Sequence, residues 1–156
     1  MSQVSLLADE GLQLDNQLCF KLYAASRAVI RGYKPMLDQL HLTYPQYLVM
    51  LVLWEWQSAP PAQPTVKALG ARLLLDSGTL TPLLKRLDQL GLLLRKRSRS
   101  DEREVHLALT DAGLALREQV LPLKQQLLCE HGVDLDELAE LRAQVGQLLD
   151  RFMAPR

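Results

Sequence analysis

This 156-residue sequence contains two cysteines, Cys19 and Cys129, whose thiols could carry chemistry. Cys19 follows Asp15 and Asn16, which are good helix N-caps, by about four residues. Unpaired amides in the first turn of a helix stabilise a thiolate, and a thiolate there reacts with peroxide. The alternative is a small cysteine buried in the core, and the position of Cys19 alone favours that alternative.

Cys129 lies near the end of a long predicted helix, where the helix dipole disfavours a thiolate. It is therefore a candidate resolving cysteine or an inert side chain, rather than a primary nucleophile. Two cysteines so far apart do not form a disulfide scaffold, and Cys129 with His131 is too sparse for zinc. The sequence predicts no metal site and no cofactor.

Basic residues concentrate between residues 65 and 106, which carry 9 basic and 5 acidic groups. The formal net charge of the whole chain is zero, so this excess is a local feature. A local basic segment favours a surface that binds an anion such as nucleic acid. A solvated face without a partner is the alternative, and charge alone does not exclude it.

The elements that must position these residues are mainly helical, because Leu occurs 37 times and Val, Ile and Thr together 15 times. A first helix is predicted to begin after Asp15 or Asn16 and to bend near Gly32 and Pro35. The helix predicted over residues 46–57 is apolar nearly all round, so it should be buried. Further helices are predicted over residues 66–74, 79–90 and 111–131 and after Asp134, with a turn at residues 76–78.

Two short strands, over residues 92–97 and 104–109, are predicted on either side of a polar tip. A short helix, a turn, an amphipathic helix and a hairpin, in this order, indicate a winged helix-turn-helix. The fold class is therefore mainly α with a small β-hairpin wing, flanked by N- and C-terminal helices.

In this architecture the helix over residues 79–90 enters the major groove of double-stranded DNA, with Pro82 in its first turn. Lys85 and Arg86 supply charge for phosphates, and the arginines of the tip suit a minor groove. Asp101 is close enough in sequence to orient the guanidinium of Arg103. The candidate DNA-binding residues are Ser77, Thr79, Thr81, Pro82, Lys85, Arg86, Arg97, Arg99, Asp101 and Arg103.

One such unit reads only a few base pairs, so a homodimer on a palindromic operator is expected. The sequence is interpreted as a single domain, 1–156, in which residues 65–110 bind DNA. The helices within residues 15–40 and 111–152 exceed what a winged helix needs, and they are predicted to form the dimer. The alternative is that they enlarge the core of a monomer.

The longest strongly apolar run, residues 47–54, is far too short to span a membrane. Asp9 and Glu10 lie where a signal peptide would be apolar. A soluble cytoplasmic protein is therefore predicted.

Several motifs resemble the organic hydroperoxide resistance regulators of the MarR family. They are DNQLCF at residues 15–20, YKP at 33–35, LTYPQYL at 42–48, LDSGTLTPLLKRL at 75–87 and DER at 101–103. The similarity extends over residues 14–120 and weakens at both ends of the chain.

The resemblance implies a homodimeric repressor that binds operator DNA when reduced. It implies that organic hydroperoxide, the inducer, oxidises Cys19 to a sulfenic acid. It further implies that Tyr33 and Tyr44 of the other subunit hydrogen-bond the reduced sulfur. In family members with two cysteines an intersubunit disulfide then forms, and Cys129 matches the second cysteine.

Two other functions remain open at this point. A thiol peroxidase using Cys19 and Cys129 would share the sulfur chemistry, although it would not need the residues from 76 to 103. A MarR-type regulator with inert cysteines would instead release DNA when it binds a phenolic ligand.

Overall fold

The computed structural model describes residues 9–155, and the chain divides into two compact units after Val120. The predicted domain limits at residues 1 and 156, and most of the stretch predicted to lack a leader, lie outside the described residues. Within the described part, no helix is long and apolar enough to cross a bilayer.

Seven α-helices, two 3-10 helices and one hairpin make up the described chain, which confirms the predicted mainly helical fold with a wing. The 3-10 helices are Asp9–Leu12 and Leu14–Asn16. The α-helices are α1 (Leu18–Gly32), α2 (Lys34–Leu40), α3 (Tyr44–Ser58), α4 (Val66–Leu73), α5 (Ser77–Gln89), α6 (Asp111–Glu130) and α7 (Leu135–Met153). The hairpin pairs β1 (Leu93–Arg97) with β2 (Val105–Leu109).

Helix α3 is the centre of the first unit, as its apolar sequence predicts. A capping box begins it: the Thr43 backbone N–H donates to Gln46 Oε1 at 2.9 Å, and the Gln46 N–H donates to Thr43 Oγ1 at 3.4 Å. Seven of its residues are buried, and they are Gln46, Tyr47, Val49, Met50, Val52, Leu53 and Trp54. Since the helix is covered on nearly all sides, it fixes the positions of the elements that pack on it.

The wing is antiparallel, with Leu93 opposite Leu109 and Arg97 opposite Val105. The segment before α4 adds to it, because the Leu107 N–H donates to the Pro64 carbonyl at 2.8 Å. Thr65 forms an isolated bridge with His106, and its hydroxyl caps α4 by accepting from the Ala68 N–H. This attachment of the wing to the start of α4 has no signal in the sequence, which predicts a loop before Thr65.

The start of α6 is held against the end of α3 and the turn before β1. Trp54 Nε1 donates to the Gly113 carbonyl at 2.8 Å, and this hydrogen bond is buried. A Cβ at Gly113 would lie 2.1 Å from the Leu92 carbonyl oxygen, so no larger residue fits there. The Gly113 N–H donates to the Thr110 hydroxyl at 3.0 Å, so Thr110 caps α6.

The predicted caps of the first helix are wrong. Asp15 and Asn16 lie in the second 3-10 helix, and α1 begins at Leu18 after Gln17. Asn16 Nδ2 donates to the Glu10 carbonyl at 2.7 Å. Its side chain therefore stabilises the preceding 3-10 helix and does not cap α1. Cys19 is consequently the second residue of α1. The predicted bend near Gly32 and Pro35 is confirmed, because α1 ends at Gly32 and α2 begins at Lys34.

In the second unit, α6 ends at Glu130, one residue before the predicted end, and Gly132 follows with a φ of 60°. The Val133 N–H donates to the Leu128 carbonyl and so closes the helix end. Asp134 caps α7 by accepting from the backbone N–H groups of Asp136 and Glu137, both at 2.9 Å. Helix α7 buries none of its 19 residues.

Candidate functional site

Helix α5 begins two residues earlier than predicted. The Asp76 carboxylate accepts from the Thr79 N–H at 2.7 Å, and this cap converts the predicted turn at residues 76–78 into the first turn of the helix. Pro82 is therefore the sixth residue of the helix and lies in its second turn, not its first. The Thr81 hydroxyl donates to the Ser77 carbonyl at 2.7 Å.

The two faces of α5 separate as the sequence predicts. Leu80, Leu84 and Leu87 are buried and anchor the helix on the core. The exposed side chains include all six candidates on this helix, namely Ser77, Thr79, Thr81, Pro82, Lys85 and Arg86. The helix therefore presents a polar, basic face to solvent.

The wing tip is shaped by its own hydrogen bonds. The Ser98 N–H donates to the Glu104 carbonyl at 2.9 Å, and the Glu104 N–H donates to the Asp101 carbonyl at 3.0 Å. The Asp101 carboxylate accepts from the Arg103 backbone N–H at 3.0 Å. The predicted role of Asp101 is thus wrong, because its carboxylate holds the backbone of the turn and not the Arg103 guanidinium.

An ion pair that sequence analysis missed ties the wing to α5. Arg95 Nε lies 3.0 Å from Asp88 Oδ2, and each side chain is one-third exposed. Asp88 is on α5 and Arg95 is on β1, so this contact fixes the angle between helix and wing. No motif marks the pair, since the two residues belong to elements whose relative position only the fold sets.

A groove of about 890 Å³ lies between α4, α5 and the wing. Five of the ten candidate DNA-binding residues line this groove, and they are Ser77, Thr81, Arg97, Asp101 and Arg103. The other candidates, Thr79, Pro82, Lys85, Arg86 and Arg99, are exposed but do not line it. The structure thus brings half of the set into one concave surface that joins the helix to the wing.

Three tyrosines form a cluster where α1, α2 and α3 meet. The ring centroids of Tyr33 and Tyr44 are 5.7 Å apart in an edge-to-face arrangement. Tyr47 lies 6.0 Å from Tyr33 and 6.3 Å from Tyr44. Sequence analysis missed Tyr47, although its spacing of three residues from Tyr44 on one helix places both on the same face.

Burial sets the protonation of this cluster. It raises the pKa of Tyr33 above 10.0, and the neighbouring Tyr44 adds to the shift. It also raises the pKa of Tyr47 to about 12, with further contributions from Tyr33 and Tyr44. Tyr33 and Tyr47 are therefore neutral hydroxyls at physiological pH, able to donate a hydrogen bond.

Both cysteines are free and exposed. Cys19 lies in the first turn of α1, where backbone N–H groups lack helical partners. Cys129 is the penultimate residue of α6. Among the described residues, no group of three or more His, Cys, Asp or Glu side chains gathers as a metal site would require.

A sequence model of the transcriptional regulators SarA/Rot matches residues 31–120. The chain is 46% identical to the organic hydroperoxide resistance transcriptional regulator of Bacillus subtilis (strain 168), over 90% of this chain and 92% of the relative. This chain belongs to the organic hydroperoxide resistance regulators of the MarR family. Its relatives are transcriptional regulators and not enzymes, so the thiol peroxidase alternative is wrong.

The solved structures similar to this MarR-family regulator include those of AbfR of Staphylococcus epidermidis. Reduced AbfR bound to DNA is 35% identical with a TM-score of 0.70, covering 95% of this chain and 100% of AbfR. Disulfide-formed AbfR is 36% identical with a TM-score of 0.61, covering 93% and 98% of the two chains. The winged-helix fold of a DNA-binding regulator is thus established for this chain.

The cap of α5 gives this regulator a defined response to acid. Hydrogen bonds from Thr79, chiefly from its backbone N–H, hold the pKa of the Asp76 carboxyl below 3.8. The stabilising contribution of Asp76 is therefore complete above pH 3.8 and is lost as the pH falls through the lower, folded-state pKa.

Asp76→Asn retains a good cap and removes the titrating group. Urea unfolding over a pH series should show that the wild-type protein loses more stability below pH 3.8 than the variant does. All other carboxylates are common to both proteins, so they cancel in the comparison. Equal losses in acid would contradict the assignment of Asp76 as a titrating cap.

Proposed function

We propose that this regulator is a repressor that binds operator DNA as a homodimer while Cys19 is reduced, and releases DNA when an organic hydroperoxide oxidises Cys19. The observation that carries the proposal is the exposed, free thiol in the first turn of α1. Support comes from the name of the Bacillus subtilis relative, and from AbfR structures described as reduced with DNA and as disulfide-formed.

The DNA contacts follow from the exposed face of α5 and the wing. Small side chains at the start of α5 allow its backbone to approach base edges in the major groove, while Lys85 and Arg86 reach phosphates. Arg97, Arg99 and Arg103 extend from the wing toward a minor groove or its flanking phosphates. Residues 65–110 form the DNA-binding lobe in this proposal.

Replacing Arg103 by Ala tests the wing. Loss of one guanidinium contact should weaken operator binding by about 1–3 kcal/mol, with no change in unfolding free energy, because the side chain is exposed. Fluorescence anisotropy on DNA from upstream of the protein's own gene measures the affinity. Arg117→Ala is the matched control, since Arg117 is also exposed but lies on α6. Unchanged affinity for Arg103→Ala would refute the wing contact.

The homodimer is proposed from two helices whose apolar residues are uncovered. Helix α7 has a stripe of exposed apolar side chains, made of Leu135, Leu138, Leu141, Val145, Leu149, Phe152 and Met153. Helix α1 also buries none of its 15 residues, and Leu18, Tyr23, Val29 and Ile30 are exposed on it. A helix gains most of its stability from packing an apolar face, and a second copy of the chain is the occupant we propose for both.

A charge on the α7 stripe should separate the copies. Val145→Glu should shift the protein from dimer to monomer in sedimentation equilibrium, because it would bury an unpaired carboxylate in the interface. Gln147→Glu adds the same charge on the opposite side of α7, at about 100° per residue, and should leave the dimer intact. A dimeric Val145→Glu protein would contradict the assignment of this stripe.

The proposed redox step converts thiolate to disulfide in two balanced reactions. The Cys19 thiolate attacks one oxygen of the hydroperoxide, the O–O bond breaks, and the alkoxide leaves and takes up a proton to become an alcohol. Sulfur is thereby oxidised to a sulfenic acid. The thiolate of Cys129 from the second copy then attacks this sulfur, and hydroxide leaves as water after protonation.

Formation of that bond is proposed to drive release. A disulfide requires its two Cα atoms to lie within about 7 Å. Closing any larger separation moves α1 against the end of α6 of the second copy and breaks the contacts of Tyr33 and Tyr44 with sulfur. The two DNA-binding lobes then no longer match the operator.

Two serine variants separate the steps. Cys19→Ser should bind the operator as the wild type does and remain bound after organic hydroperoxide is added. Cys129→Ser should still consume one equivalent of peroxide per chain, yet form no interchain bond on a non-reducing gel. Release from Cys19→Ser on addition of peroxide would contradict the proposal. Release of the operator when a phenolic compound is added, while both thiols stay unmodified, would favour a ligand-responsive regulator.

A further inference from the structure

The Tyr47 hydroxyl is a buried polar group with no hydrogen-bond partner, and no other buried side-chain polar atom in residues 10–155 shares this condition. Its side chain is 98% buried, since 2% of it is exposed. An unpaired buried hydroxyl destabilises a fold, and phenylalanine would fill the same space without that penalty. The hydroxyl is therefore expected to gain a hydrogen-bond partner in the functional state of the protein.

The aromatic rings that pack against Tyr47 are those of the other two members of the tyrosine cluster. Tyr33 approaches from the junction of α1 and α2, and Tyr44 from the preceding turn of α3. A phenol oxygen accepts hydrogen bonds while its own O–H donates, so one tyrosine can serve two partners at once. The Tyr47 hydroxyl can thus donate to the oxygen of Tyr33 or Tyr44, and that tyrosine can still donate its own proton to another partner.

We propose that Tyr47 is a positioning residue, which donates its hydroxyl proton to Tyr33 or Tyr44 while that tyrosine donates to the Cys19 sulfur of the second copy. The inference rests on the proposed function, because it assumes that the two tyrosines bind the reduced sulfur. In the single chain the Cys19 sulfur of a second copy is not there to orient the hydroxyls of Tyr33 and Tyr44. The Tyr47 hydroxyl therefore has no hydrogen-bond partner.

The consequence is a stronger hydrogen bond to sulfur. A phenol that accepts a hydrogen bond becomes a better donor, because consecutive bonds polarise one another. Tyr47 therefore favours the thiolate through its neighbour, without touching it. With a pKa of about 12, Tyr47 keeps its proton throughout the physiological range.

The wild-type protein and a variant that lacks only the Tyr47 hydroxyl share all other ionisable groups. The titratable groups that contribute to the raised pKa of Tyr47 are Tyr33 and Tyr44. Close to Cys19 in the sequence, Lys21 and Asp15 form an exposed ion pair, with Nζ 3.5 Å from Oδ1. A change confined to the Tyr47 hydroxyl leaves all of them in place.

Tyr47→Phe in the full-length dimer is the test. The second-order rate constant for the reaction with an organic hydroperoxide at neutral pH should fall about two- to tenfold, as expected for the loss of one hydrogen bond. The thiolate fraction, read from its ultraviolet absorbance in the same buffer, should fall in parallel. The operator affinity of the reduced protein should not fall, because Tyr47 is on α3, outside the proposed DNA-binding lobe.

Ser58→Ala is the control, because it removes a hydroxyl from the other end of α3, where Ser58 Oγ donates to the Glu55 carbonyl at 3.1 Å. It should react at the wild-type rate. An unchanged rate and thiolate fraction in Tyr47→Phe would overturn the inference. So would a lower melting temperature with an unchanged rate, which would assign the hydroxyl a purely structural role.

A second variant tests the inference if Tyr47→Phe does not fold. 3-Fluorotyrosine in place of Tyr47 keeps the shape of the ring and makes the phenol a stronger donor, so the thiolate fraction and the rate should rise. A fall or no change would overturn the inference.

Failure of the proposed function gives a different result. If wild-type Cys19 remains reduced while peroxide releases the operator, the redox switch itself is wrong. If the wild type responds and Tyr33→Phe and Tyr44→Phe both slow the reaction, an unchanged Tyr47→Phe rejects the role of Tyr47 alone.

Discussion

Burial of α3 is the constraint on which the rest of the first unit depends. A helix that is apolar on nearly every side must be surrounded, and the elements that surround it are thereby fixed. Its first turns hold Tyr44 and Tyr47 against Tyr33, and its last turn holds the start of α6 through the bond from Trp54 to Gly113. One rigid element therefore connects the tyrosine cluster with the helix that follows the wing.

The proposed DNA-binding face is built on the same core, although the contacts that shape it are local. Three leucines anchor α5, the Asp88–Arg95 pair sets the wing angle, and the Asp101 carboxylate shapes the tip. None of these contacts uses the guanidinium groups of Arg97, Arg99 or Arg103, which stay exposed. A chain with zero formal net charge can thus present a basic surface, because positive charge is concentrated there and balanced elsewhere.

Much of this architecture was predictable from the sequence, because hydrophobic periodicity marks a buried helix, an amphipathic helix and a hairpin directly. The errors occur where two local structures compete for the same side chains. Asp76 looked like part of a turn but caps α5, and Asn16 looked like a cap but bonds to the preceding turn. Both outcomes depend on backbone geometry that residue type alone does not set.

Contacts between distant elements were not predictable either. The Asp88–Arg95 pair, the bond from Leu107 to Pro64 and the tyrosine cluster arise from tertiary packing. Tyr47 is instructive, because its apolar neighbours predicted a core residue and the structure confirms that it is buried. What the sequence does not reveal is that its hydroxyl is left unpaired there.

The central claim is that the bonding state of one sulfur decides whether the operator is held. It is tested most directly by treating the operator-bound protein with organic hydroperoxide and following two signals in the same sample. Anisotropy reports DNA release, and mass spectrometry of quenched aliquots reports the modification of Cys19. The account predicts that the fraction of modified Cys19 rises before or together with the fraction of released DNA. Release that is complete while Cys19 is still an unmodified thiol would contradict it.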